Sequence, residues 1–246
     1  MADGCERNRF EELKALLSSL PDCATVARLD CRLSGFPSFF PGGPGFCGSE
    51  VPVGGVMFIG NNFGTIEQYE ALPSTVCEFE PDITNRTRNQ TWWCLWNLVL
   101  RECGIPIERC FFTNAYLGAI VTDPERAAKG KKTKNVGALN AERDYRNACV
   151  DALAEQVRIA EPRLVILLGG HAPKVFAQAF PQFGPFARGG VAAMQERQPV
   201  GGHALALTTE LHAHVLVLQH PSNPRSDESK REQGRLLKAA YVAAAL

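Results

Sequence analysis

Arg163-Leu164-Val165-Ile166-Leu167-Leu168-Gly169-Gly170-His171-Ala172 runs from one arginine through five aliphatic residues, stops at two glycines and turns polar at His171. Nothing polar interrupts Leu164 to Leu168, so both faces of such a strand need cover, which is the pattern of a strand buried in a parallel sheet. The glycines allow a tight turn, and from Ala172 to Phe180 the spacing becomes helical. The stretch reads as strand, turn and helix start.

The same grammar recurs along the chain. Gly55 to Gly60 (GVMFIG), Cys110 to Leu117 (CFFTNAYL) and Val215 to Gln219 (VLVLQ) are further apolar strand candidates. Between and after them, Thr91 to Cys103, Ala141 to Ala160 behind an Asn140 cap, and Asp227 to Ala245 behind a Ser226 cap read as helices. Alternating strands and helices imply an α/β fold, a three-layer α/β/α sandwich around a central four-stranded parallel sheet. We expect one domain over residues 1–246, in which residues 1–50 form an N-terminal helix (Arg7 to Leu20) and the start of a Gly/Pro-rich wrap from Ser34 to Gly55.

Lys plus Arg and Asp plus Glu balance at 26 each, so attraction to a polyanion has to come from local patches. The segment from Thr122 to Asn140 is the most basic, with Arg126, Lys129, Lys131, Lys132 and Lys134, and suits either a solvated loop or a phosphate contact. Met1 to Phe10 is charged, and no apolar run approaches the roughly 20 residues of a membrane span. A soluble, intracellular protein is expected, with its 9 cysteines reduced. No Cys-x-x-Cys pair occurs, so the spacing asks for no metal.

Ligands of an open parallel sheet bind beyond the carboxyl ends of its strands. The first such loop is Gly60-Asn61-Asn62-Phe63-Gly64-Thr65, where glycines permit close approach and the Asn62 carboxamide can orient a water. The second strand carries Asn114 in an apolar run, suited to reading a planar base edge or to being satisfied within the core. Gly169-Gly170-His171 leads into a helix N-terminus, where free amides favour phosphate. His220-Pro221-Ser222-Asn223-Pro224-Arg225 offers an imidazole, a hydroxyl and a guanidinium on a stiffened loop.

In composition and chain order these loops resemble the uracil-DNA glycosylase superfamily over about Val53 to Tyr241. Gly60 to Gly64 is similar to its first motif, nearest the Gly-x-Asn-Pro-Gly form of the mismatch-specific and single-strand-selective branches. His220-Pro221-Ser222 matches the second motif as it stands, Thr113-Asn114 falls where the family carries its base-reading Asn, and Gly169-Gly170-His171-Ala172 looks like its phosphate loop.

The resemblance implies a monofunctional DNA glycosylase of base excision repair, working by base flipping on uracil or a related damaged base in DNA and without cofactor; the sequence leaves the oligomeric state open, with a monomer favoured. Asn62 would position the attacking water, and His220 would stabilise charge on the leaving base. Asn114 would read the base, with Gly60 beside it and Phe63 or Phe79 stacked on it. Gly169, Gly170 and Ser222 would grip phosphates, and Arg225 would fill the vacated stack.

Departures from the pattern narrow this. Phe63 stands in place of the usual Pro, and Gly64 lacks a bulky side chain that would exclude 5-methyl groups. Cys149 falls near a ligand of the iron-sulfur branch, but Gly118 occupies another cysteine position, so no cluster is expected. The alternatives left open are a catalytically weak nucleic-acid-binding member, a nucleoside or nucleotide hydrolase, and metal hydrolysis through His212, His214 and His220.

Overall fold

The computed structural model describes residues 8–24, 26–27, 45–46, 50–62, 65–66, 90–121 and 143–246. Helix α1 (Arg9–Ser18), strands β1 (Val26–Ala27) and β2 (Val56–Asn62) come first. Helix α2 begins as an α-helix over Gln90–Cys94, widens to a π-helix over Leu95–Leu100 and closes as an α-helix over Arg101–Cys103. Then follow β3 (Cys110–Tyr116), β4 (Ala119–Ile120), α3 (Arg143–Ala160), β5 (Leu164–Leu168) and α4 (Ala172–Ala179). The last elements are α5 (Val191–Arg197), β6 (His203–Ala206), β7 (His212–Leu218) and α6 (Asp227–Ala243).

The central sheet runs in the order β3-β2-β5-β7-β6. Its first four strands are parallel, as expected, and each is one of the apolar runs. The sheet is mixed rather than purely four-stranded, because β6 adds an antiparallel edge, with His203 opposite Val215 and Ala206 opposite His212. That strand is short, Ala-rich and only alternately buried, so it lacks the continuous apolar signal of the others. Separately, β1 and β4 form a small antiparallel ladder.

Strand alternation divides the core into two layers. Met57, Ile59, Phe111, Val165, Leu167, Val215 and Val217 pack with Leu153 and Val157 of α3 and with Val175 and Phe176 of α4. Val56, Phe58, Phe112, Leu164, Ile166, Leu216 and Leu218 pack on the other side with Leu95 and Val99 of α2 and with Leu237 and Ala240 of α6. Phe58 and Phe112 stack there, with ring centroids 5.0 Å apart. Each such buried side chain contributes about 1.5–3 kcal/mol of transfer free energy.

Helix ends follow local chemistry. Ser226 accepts the Ser229 amide at 3.2 Å, the cap expected for α6, and Asn8 accepts the Glu11 amide at 3.2 Å on α1. The Asn140 cap expected for α3 lies outside the described residues, as do Phe63, Gly64, Phe79 and the basic segment 122–140. Among the described residues no helix is long and apolar enough to cross a membrane.

Candidate active site

In the β2–β3 register Gly60 lies opposite Asn114, and Asn62 opposite Tyr116. Alternation puts Gly60, Asn62 and Asn114 on the face of Phe58 and Phe112, beneath α2 and α6. Thr113 projects the other way, where its hydroxyl donates to Gln156 of α3 at 2.5 Å, leaving the buried Asn114 to face the α2 side. His220, two residues past Leu218 of β7, continues the same alternation.

Between Asn62 and His220 stands the end of β5. Strand spacing separates the β2 and β7 ends by about 10 Å, and the residue in that gap is Gly169, which has no side chain to fill it. Gly169 has φ +78°, and its amide donates to the Leu218 carbonyl at 2.8 Å. A Cβ there would lie 3.3 Å from the Cβ of His220. The Asn62 carboxamide thus stands on one side of Gly169, on β2, and the His220 imidazole on the other, after β7.

Among the described residues, Asn61, Asn62 and Asn114 offer polar groups there without formal charge. Asn61 Nδ2 donates to Asn62 Oδ1 at 2.9 Å, so the two carboxamides form a pair at the strand end. Among the described residues, Asn61 Oδ1 and Asn62 Nδ2 are buried without a hydrogen-bond partner. One acceptor and one donor are thus available to a water or a ligand. Asn61 had no role in the sequence reading; its only signal was a second carboxamide beside Asn62.

His220 has a defined tautomer. The Ser222 amide donates to its Nδ1 at 3.3 Å, and the Ser222 hydroxyl lies 2.7 Å from the same atom. A backbone N–H cannot accept, so Nδ1 carries the lone pair and the ring proton sits on Nε2. Burial also holds the imidazole below its ordinary range, which keeps it neutral. His220 therefore presents an Nε2–H donor. The Ser222 hydroxyl, expected at a phosphate, is exposed and lies against this ring.

The remaining expected residues take less defined places. Gly170 is half-buried beside Val191 and leads into α4, whose first turn has no side-chain cap. Arg225 is exposed, with no ion pair among the described residues. His212 and His214 sit at the start of β7 and His220 past its end; six strand residues span about 20 Å, which rules out their joining one metal. Among the described residues no three of His, Cys, Asp and Glu are grouped to hold an ion.

Cluster ligation fits no better. Gly118 has φ +111°, and a Cβ there would meet Val26 Cγ1 at 2.7 Å and the Ala27 carbonyl at 2.8 Å, so a cysteine would have no room. Cys149 is buried, and that burial pushes its thiol up to about 11.

The family model for the uracil DNA glycosylase superfamily matches residues 55–243, from the turn before β2 to the end of α6. The chain belongs to that superfamily. Every strand-end loop described above falls inside the match. No curated protein matches the chain. Superfamily membership supports DNA glycosylase-type activity in general, with DNA as the substrate class.

Proposed function

We propose that this protein is a monofunctional DNA glycosylase that removes uracil or a related damaged base after flipping the nucleotide out of the stack. The observation that carries the reading is the pairing of His220 Nδ1 with the Ser222 amide and hydroxyl, which leaves Nε2 as the ring's donor. A donor already in place stabilises negative charge on a departing pyrimidine oxygen without reorganising in the transition state.

The rest of the machinery is assigned around it. Asn114 pairs with the pyrimidine edge, and Gly60, its neighbour across β2 and β3, leaves room above it. Asn62, steadied by Asn61, orients the water that attacks the sugar carbon. Cleavage of the sugar–base bond passes through an oxocarbenium-like state, so the water need not first lose its proton and a carboxamide suffices. Gly169 and Gly170 approach a flanking phosphate, and Arg225 supplies the wedge. Phe63 or Phe79 stacks on the base.

Oligonucleotides bearing uracil opposite guanine, opposite adenine or unpaired, treated with alkali after incubation, test the reading. Strand scission that disappears in His220→Ala and falls in Asn62→Ala is expected. DNA binding without scission of any uracil, hypoxanthine or alkylated substrate would leave a binding module instead.

A further inference from the structure

Strand β7 loses its outer partner before it reaches the site. Its last pair with β6 is Val215 with His203, whereas its pairing with β5 continues to Leu218. Without β6, the outward-facing amide and carbonyl of Val217 would be left open, three residues before His220. Side chains occupy that edge instead. Gln198 accepts the Val217 amide at 2.7 Å and donates back to the Val217 carbonyl at 3.4 Å, as a facing strand would. Gln195 also donates to the Val217 carbonyl, at 3.1 Å.

The mimicry extends one step further. Gln233 of α6 accepts the Gln219 amide at 3.0 Å and a bond from Gln195 at 2.6 Å through the same oxygen. The Gln219 side chain donates to Gln195 at 3.4 Å, closing a network among residues of α5, α6 and the β7 end. Gln219 is bonded covalently to His220, and Gly169 holds the opposite edge through the Leu218 carbonyl.

We propose that Gln195, Gln198 and Gln233 form a clamp that replaces the missing strand and sets the position of His220, making them positioning residues for base release. This rests on the role given to His220 above. A side-chain clamp does here what a longer strand would do: carboxamides satisfy the open β7 edge and stop short of the His220 loop, which a continued β6 would run alongside. The network also ties the His220 loop to α6, so its two ends are held by one set of bonds.

Gln198→Met and Gln195→Met keep side-chain length and remove the carboxamide. In both, the His220 imidazole nitrogen resonances are expected to move while circular dichroism stays native. Single-turnover base release should fall about tenfold, with DNA affinity unchanged within about twofold. Gln198→Glu, which keeps an acceptor for Val217, should recover most of the rate.

In a His220→Ala background Gln198→Met should cause no further loss, because the clamp acts through that ring. Unshifted imidazole resonances in both folded Met variants, or an undiminished further loss without His220, would overturn the clamp. If the wild-type protein releases no base from any oligonucleotide, the glycosylase reading fails. The imidazole spectrum still decides the clamp.

Discussion

Gly169 and His220 are in contact across the ends of β5 and β7: a methyl group on Gly169 would lie 3.3 Å from the His220 Cβ, tighter than most real contacts. The same residue has φ +78°, where an L side chain is strained. Gly169→Ala therefore has two effects at once. The backbone strain costs about 1–2 kcal/mol, seen as a lower midpoint in urea. Displacement of the ring should lower base release beyond that; full activity at reduced stability would show that the contact is slack.

Asn62 and Asn61 are tied by one hydrogen bond, so their substitutions should not be equivalent. Asn62→Ala removes the group assigned to the water and should lower single-turnover release by about 10–100-fold, leaving DNA affinity intact. Asn62→Asp would place a carboxylate where Asn61 already donates, and its rate should acquire a further acidic limb from that carboxylate, on top of the fall that His220 protonation gives both proteins. A pH profile of both proteins checks this. Identical profiles would remove Asn62 from the chemistry.

How much of this could be read before the structure depends on what kind of signal each part leaves. β2, β3, β5 and β7 are continuous apolar runs because both faces are covered, and such runs stand out. β6 does not, since an edge strand of four residues, HALA, needs only alternate burial. Asn62, Asn114 and His220 were legible because they interrupt or end apolar runs. The His220 tautomer was not, because it depends on where the Ser222 amide points. Nor was the clamp, whose members Gln195, Gln198, Gln219 and Gln233 share no spacing in sequence and meet only in the fold.

Acid should weaken this protein through its histidines. His220 and His203 are both held below the ordinary imidazole value of 6.5 by burial. The unfolded chain binds protons near that value while the folded chain resists until lower pH, so stability is full above it and declines as pH falls. Urea midpoints between pH 8 and pH 5 should drop, and less so in His203→Phe, which keeps the stacking against Phe186. Base release should follow the same direction, because protonated His220 loses the Nδ1 acceptor that aligns it with Ser222. A flat stability profile would mean that neither ring is desolvated.

Lys230 of α6 is buried at 5 % exposure, and its ammonium donates a hydrogen bond to the Cys94 sulfur of α2 at 3.3 Å. Among the described residues no carboxylate lies within ion-pair distance of it. A thiol sulfur is a weak acceptor, so it offsets little of the hydration the ammonium gives up. Lys230→Met keeps the length of the side chain and fills the α2–α6 contact with apolar atoms. It should raise stability by about 1–3 kcal/mol, read as a higher urea midpoint with an unchanged slope. Lys230 lies one turn before Gln233, on the helix that receives the His220 loop, so the same variant also asks whether the charge serves DNA. Its removal should weaken binding to undamaged duplex only if the ammonium contributes to the field at the strand ends, and the salt dependence of affinity measures that contribution. Higher stability with an unchanged salt slope would make Lys230 a cost carried by the fold alone; lower stability would mean that the Cys94 contact is worth more than a buried N–H to sulfur bond normally gives.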